Sequence, residues 1–358
     1  FAPIRDVVSM VKLKASYGLV GNDQIGGDRR FIYNETVIGG GKYYFGTTPS
    51  QYTSVRLGEF PNPNVGWEKA KKLNLGADLS FFNQLNISVD YFKENREGIF
   101  LQRKSIPMYV GLSTKPWVNI GKMRNSGIDA SLEYHQPLGK DLHLTVRGNF
   151  TYARNRIMDQ DEPDYAYTYM NHSGQMQWQK FGLVAAGLFQ DQEDIDSWAK
   201  QSFGEVKPGD IKYLDLNGDG IVDNYDTKPI GYSDIPEIVY GFGFSLQWKA
   251  FDLSAFFQGV AHVSFSTLTD QTQAFVGRNL KESSVFADLY GNTWTPENPG
   301  AKYPRMTTGA IDNNNQLSTF WMANGRYLRL KNLELGYTLP KRIANKIAMQ
   351  SLRVYLSG

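Results

Sequence analysis

The chain has 358 residues, no cysteine and a net charge of +2 with both signs interspersed. The missing thiols exclude a disulfide framework, thiol catalysis and a cysteine-ligated zinc site, and charge clusters no larger than the lysines at 69, 71 and 72 leave nucleic acid no basic face. No run approaches the eighteen or so apolar residues of a membrane-spanning helix, so any crossing of a bilayer has to be made by strands.

Nine amphipathic arms follow in chain order. The first covers residues 11 to 19. The second covers 72 to 82, where Leu73, Leu75, Ala77, Leu79 and Phe81 point to one side and Asn74, Gly76, Asp78 and Ser80 to the other. After Asn83 and Gln84 a third arm resumes with Leu85, Ile87, Val89 and Tyr91 against Asn86, Ser88 and Asp90, as the returning half of a hairpin does. The fourth carries Ile128, Ala130, Leu132 and Tyr134, and the fifth Leu142, Leu144, Val146, Gly148 and Phe150 against His143, Thr145, Arg147 and Asn149. Ile238, Tyr240, Phe242, Phe244, Leu246 and Trp248 mark the sixth, and Phe251, Leu253, Ala255 and Phe257 the seventh. Residues 326 to 337 and 352 to 357 complete the set.

Connections between these arms alternate. Short ones fall at 83 to 84, 136 to 141, 249 to 250 and 338 to 351; long ones fall at 20 to 71, 95 to 127, 155 to 237 and 262 to 325. In an antiparallel barrel every second connection lies on the same side of the membrane, so this order sorts turns to one side and loops to the other. A soluble all-β protein with one solvated face shares the period of two but has no reason to sort its loops. The expectation is an all-β chain forming part of an antiparallel transmembrane β-barrel, with short periplasmic turns and long extracellular loops. The chain opens at Phe1 without methionine or signal segment and stops at Gly358 inside an arm. Nine arms leave open edges that lipid does not tolerate, so a piece of a larger barrel is expected.

One sharp chemical motif lies in the longest connection. Residues 215 to 226 match the twelve-residue calcium loop: Asp215, Asn217, Asp219, Asp223 and Asp226 offer side-chain oxygens, Ile221 its carbonyl, and Gly220 the bend. Calcium is hard and takes many oxygens around a sharp turn. Aspartate at the closing position has a shorter reach than the usual glutamate, which predicts weaker binding or tolerance of magnesium. The flanks, Pro208-Gly209-Asp210 and Thr227-Lys228-Pro229, are hostile to helices, so the loop stands alone and its expected role is to stiffen the 155 to 237 connection. An acidic turn without an ion is the alternative.

Other chemistry is thin. Gly241-Phe242-Gly243 lacks the third glycine of a dinucleotide fingerprint and reads as a strand facing a crowded lumen. His135, His143, His172 and His262 have no ligand spacing. No catalytic constellation stands out, and an enzyme is not expected.

The phrases LKASYGLVGN (13 to 22), NPNVGWEKAKKLNLGADLSFF (62 to 82), SVDYFKENREGIF (88 to 100), NIGKMRNSGIDASLEY (119 to 134), PGDIKYLDLNGDGIVD (208 to 223), FDLSAFFQGV (251 to 260) and RYLRLKNLELGYTLPKR (326 to 342) run through the chain. In this order they resemble the carboxy-terminal portion of SusC/RagA-like TonB-dependent outer-membrane transporters. The resemblance implies a 22-stranded barrel closed by an amino-terminal plug, of which residues 1 to 358 would be a part without the plug or the last strands. It also implies the outer membrane of a Gram-negative bacterium, active import of oligosaccharides or peptides, with oligosaccharides the expected cargo, a SusD-like lipoprotein as lid, and energy from the TonB complex acting through the missing plug region. Aromatics in the long connections, Trp178, Trp198, Trp294, Trp321 and the ladder Tyr165, Tyr167 and Tyr169, are the physical candidates for cargo contact, or else pack loops or meet the lid. The alternatives are a peptide importer of the same family, a passive porin, or a secreted calcium-binding carbohydrate module.

Overall fold

The computed structural model describes residues 7–24, 31–112, 114–269, 285 and 287–358. Among these, all nine expected arms form. They are Val8–Asn22, Glu68–Phe81, Leu85–Gln102, Trp117–Pro137, Leu142–Asp159, Ile238–Trp248, Phe251–Ala261, Tyr327–Thr338 and Arg353–Ser357. They join in chain order into a single nine-stranded sheet, antiparallel at the pairs of the first to sixth strands and of the eighth with the ninth.

The register explains the sheet. Leu13, Ala77, Val89, Ala130, Phe150 and Tyr240 stand opposite one another across six strands, and so do Val11, Leu79, Ile87, Leu132, Gly148 and Phe242. Two further rows, one from Ala15 through Leu75, Tyr91, Ile128 and Tyr152 to Ile238 and one from Phe81 through Leu85, Tyr134 and Val146 to Phe244, complete an apolar band. From the Leu75 row to the Phe81 row the band covers about 20 Å of strand. Leu13, Leu75, Val89, Phe150, Phe242 and Phe244 are all exposed on it, as suits a face whose solvent is hydrocarbon.

The opposite face is polar. Lys14 reaches Asp78 at 2.7 Å and Asp90 at 3.0 Å, and the Ser88 hydroxyl donates to Asp78 at 2.7 Å. Crowding on this side explains the glycines of the sixth strand: a Cβ at Gly241 or Gly243 would meet the Phe256 ring at 2.7 or 2.8 Å. Gly241-Phe242-Gly243 is therefore a close-packed stretch of strand.

Three connections differ from expectation. The third and fourth strands run on beyond residue 94, pairing Glu97 with Lys122 and Gln102 with Trp117, so the expected 95 to 127 loop shrinks to 103 to 116. Its first part carries charges on both faces, with Lys72–Glu94 at 3.1 Å, Lys71–Glu97 at 3.2 Å and Arg96–Glu94 at 2.9 Å, and its end is apolar on both, Ile99, Phe100 and Leu101 in succession with Phe100 stacked on Trp117; the alternation that marks an arm disappears. The 20 to 71 connection contains a hairpin, Val37–Phe45 with Ser50–Leu57, while its residues 25 to 30 lie outside the described ones. Its end is stapled to the fourth strand, Asn62 Nδ2 donating to the Trp117 carbonyl at 3.0 Å and Asn119 Nδ2 to that of Gly66 at 2.9 Å. The fifth strand continues to Asp159, four residues past the expected start of the 155 to 237 connection.

Asp161, just past the fifth strand, clamps the 103 to 116 loop. Its carboxylate accepts from the backbone of Lys104 at 2.8 Å and Ser105 at 3.1 Å and from the Arg103 guanidinium at 3.2 Å. Burial pushes its pKa up, but the Arg103 charge and the Ser105 and Lys104 donors outweigh burial and hold it at about 2. A folded-state pKa below the unfolded one contributes stability that is complete above about pH 4 and is lost as pH falls toward 2. We expect protease access to residues 103 to 116 to rise over that window, and Asp161→Asn to show the raised access already at pH 7. Equal cleavage of the variant and wild type at pH 7 would remove the clamp.

The chain divides into two compact units: Phe1–Asp164, Ile238–Gln258 and Leu328–Gly358 hold most of the sheet, and Tyr165–Glu237 with Gly259–Tyr327 form a second body. The principal hydrophobic core, Leu183, Leu188, Ile211, Tyr213, Val222, Trp294 and Trp321, lies wholly in the second. Apolar side chains of the nine-stranded sheet are exposed along its apolar band while those gathered in this core are buried, the reverse of a soluble sandwich.

Candidate functional site

The second body is assembled from strands of two to four residues: Lys180–Gly182 with Lys228–Ile230, Ala185–Leu188 with Ile211–Tyr213, Lys200–Gln201 with Ile221–Val222, and Ser264–Ser266 with Met322–Asn324. Strands so short hold only with tertiary support. It comes from the core and from a buried clasp. Asp210, 0% exposed, receives Arg305 Nε at 2.8 Å and Nη2 at 3.1 Å, Asn314 Nδ2 at 2.9 Å and the Lys207 backbone at 2.8 Å. Asn314 Oδ1 accepts from the Ile211 backbone at 2.9 Å, and the Tyr213 hydroxyl donates to the Asn313 carbonyl at 2.9 Å. Gly209, at φ +90°, passes so close to Trp294 that a Cβ would lie 2.4 Å from its ring. The Pro208-Gly209-Asp210 lead is thus where one long connection is fastened to the other. Sequence reasoning missed this clasp: Asp210 had a signal in its motif, but Arg305 and Asn314 had none.

The calcium-like loop curls around its own acids. Asp215 accepts from the backbone of Gly218 at 2.7 Å and Gly220 at 2.8 Å, Asn217 Oδ1 from Asp219 at 2.9 Å, and Asp219 from Ile221 at 2.8 Å. Gly218 and Gly220 take φ +77° and +85°, which lets the chain turn twice. Asp226, 0% exposed, accepts from Leu216 and Asn217 with one oxygen and from Asp223 with the other, and with Asp223 it caps the helical turn Asn224–Asp226. The donor set is all oxygen, which fits calcium or magnesium. Asp215 uses two of roughly four lone-pair sites, so it keeps capacity for an ion. Among the described residues, no three His, Cys, Asp or Glu side chains are gathered as a ready metal-holding group. An ion here has to draw on Asn217 and the Ile221 carbonyl.

The tyrosine ladder packs on this loop. Tyr169 donates to the Tyr225 carbonyl at 2.7 Å, Tyr167 stacks on Tyr169 with centroids 5.3 Å apart, and Tyr225 meets the edge of Tyr167 at 6.2 Å. Burial first, then the charges of Asp226, Asp215 and Asp219, push the Tyr169 hydroxyl pKa up. Tyr165 lies at the start of a separate ring series, 6.0 Å from His172, which stacks on Phe181 at 3.9 Å.

The four candidate tryptophans divide sharply. Trp294 and Trp321, 8% and 3% exposed, belong to the core, where Trp321 Nε1 donates to the Asn314 carbonyl at 2.8 Å. Of the roles open to them, cargo contact, lid contact or loop packing, their burial fits packing. Trp198 is half-buried, donating to the Tyr213 carbonyl at 2.7 Å, with the Lys212 ammonium 4.5 Å above its ring. Only Trp178, 58% exposed, presents its indole to solvent.

A sheet amphipathic in the sense of lipid outside and water inside, carrying long connections folded on a core of their own, defines the wall of a large transmembrane β-barrel. Comparison with known proteins gives the family. A model described as TonB dependent receptor-like, beta-barrel matches residues 32–357. The chain is 29% identical to TonB-dependent receptor P3 of Formosa agariphila over 99% of its own length and 35% of that protein. It is 25% identical to TonB-dependent receptor SusC of Bacteroides thetaiotaomicron over 93% of its length and 32% of that protein. Among solved structures, the RagAB peptide importer in its open-open state shares the fold, with a TM-score of 0.71 and 22% identity, covering 98% of this chain and 36% of that one. The chain belongs to the TonB-dependent receptor β-barrel family, as a SusC/RagA-type member located in the outer membrane. It spans about a third of the length of the relatives it matches. The family is one of transporters, not enzymes.

Proposed function

We propose that the whole protein imports oligosaccharides actively across the outer membrane, with a SusD-like surface lipoprotein covering the barrel and the TonB complex supplying energy. One observation carries this reading: the two longest connections are folded into a body with its own core and a buried ion pair. A passive porin has no need of such a body, and a secreted carbohydrate module would not expose a band of Leu13, Leu75, Val89, Phe150, Phe242 and Phe244. The body faces the cell exterior in this reading, and it carries no catalysis. Aromatic side chains in the long connections suit ring-shaped, neutral cargo. Peptide cargo is the second reading, favoured by the fold shared with the RagAB peptide importer.

The test is to extract the full-length protein from outer membranes in detergent, identify any lipoprotein that copurifies, and measure uptake of labelled oligosaccharides with the TonB system intact and deleted. Uptake that persists without TonB makes the protein a porin; uptake of peptides alone makes the second reading the better one.

Calcium, or magnesium, stiffens the body in this reading, held by Asp215, Asn217, Asp219, Asp223 and Asp226 and the Ile221 carbonyl. Replacing Asp215 and Asp219 with alanine is expected to raise protease cleavage within residues 155 to 237 while the barrel stays intact, and chelator is expected to do the same to wild type. Cleavage unchanged by chelator would remove the ion.

A further inference from the structure

Trp178 adopts φ +60°, a left-handed conformation that L side chains disfavour and that an aromatic residue adopts only under constraint. The constraint is visible. The Gln179 backbone N–H closes a turn onto the Met176 carbonyl at 3.1 Å, and Gln179 Nε2 donates to the carbonyls of Ile230 at 2.9 Å and Gly231 at 3.2 Å. Gln179 then leads directly into the strand Lys180–Gly182. The backbone at Trp178 is strained and braced by Gln179, and the indole that it carries is exposed and not packed into the core.

The segment that leads to it is uncharged: from Tyr165 to Gln179 there is no Asp, Glu, Lys or Arg, whereas Asn171, Gln175 and Gln177 contribute amides. The Gln179 amide is engaged by the Ile230 and Gly231 carbonyls, and the nearest charge in sequence, Lys180, is paired with Asp234 at 3.7 Å. A sugar ring offers a C–H face to a flat aromatic and uncharged hydroxyls to amides; a peptide, with charged ends and side chains, calls for charged partners. We propose that Trp178 is the stacking platform for a neutral sugar ring of the cargo, its strained backbone preorganising the indole. This assignment rests on the import reading and sharpens it to one subsite.

The test uses the full-length transporter purified from outer membranes, as wild type and as Trp178→Ala, Trp178→Phe and Trp178→Gly. The probes are neutral four- to ten-unit oligosaccharides of glucose, mannose, galactose, xylose and fructose, and in parallel mixed peptides of similar size. Wild type is expected to bind at least one oligosaccharide, with affinity about tenfold weaker in W178A and largely kept in W178F. W178G is expected to bind as poorly as W178A yet melt no lower than wild type, because glycine relieves the strain; a merely structural tryptophan would lower the melting temperature in both. Unchanged affinity in W178A, binding of peptides in place of oligosaccharides, or binding of neither overturns the assignment. Oligosaccharide bound through Trp178 but not taken up by cells leaves the subsite standing and sinks the import reading instead.

Discussion

Replacing Leu132 by arginine is expected to destabilise the folded barrel by about 2–4 kcal/mol, whereas the same substitution at the next residue, Ser131, is expected to be accepted. The two side chains leave the fourth strand on opposite faces. Leu132 lies in the apolar row with Leu79, Ile87 and Phe242, and Ser131 stands between Ser88 and Asn149 on the polar side. A guanidinium in hydrocarbon loses its hydration without gaining a partner; on the polar lumen side it finds water or polar partners. Urea unfolding of the full-length protein in lipid vesicles measures the difference. Because Leu132 is already exposed on the isolated sheet, a water-facing surface would tolerate the charge at both positions, and equal stability of the two variants would remove the assignment of this face to lipid.

The second large effect is expected at Asp210. Its carboxylate is wholly buried against Arg305, Asn314 and the Lys207 amide, so Asp210→Ala leaves a guanidinium with its counter-charge removed and should cost the body about 3–5 kcal/mol. The expected readout is proteolysis within residues 165 to 237 and 259 to 327 while the strands remain resistant. Changing Arg305 to leucine in the same chain should restore part of the loss, because the orphaned charge goes with it. A single variant with wild-type resistance would show that the clasp contributes nothing to holding the connections together.

The nine strands were legible because each has one greasy and one wet face inside the membrane span, and a period of two survives in sequence whatever its tertiary setting. Where that condition lapses, the signal lapses too. Lys93 to Gln102 continues the pairing with register shifts about Ile99, but with charges on both faces up to Glu97 and apolar residues in succession from Ile99 to Leu101 it carries no alternation. In the hairpin Val37–Phe45, Gly39, Gly40 and Gly41 interrupt the pattern. The second body was opaque for a different reason: its strands are too short to show a period, and its decisive pairs, Asp210 with Arg305 and Ile211 with Asn314, join residues roughly a hundred apart. The calcium-like loop was readable as spacing, yet the spacing could not show that Asp226 also caps a turn from a buried position. Nor could residue type separate Trp178 from Trp321, since burial is a property of the fold.

The sixth strand, Ile238–Trp248, and most of the seventh, Phe251–Ala261, lie in sequence between the two halves of the second body. Neither half contains both sides of the core or of the clasp, so during biogenesis the first half must wait, unclosed, until this hairpin has been made and the later half has emerged. Its contacts are of high sequence separation and correspondingly slow to form. Completion of the body therefore waits on the whole stretch of chain between its halves, whatever the rate at which each half could order alone.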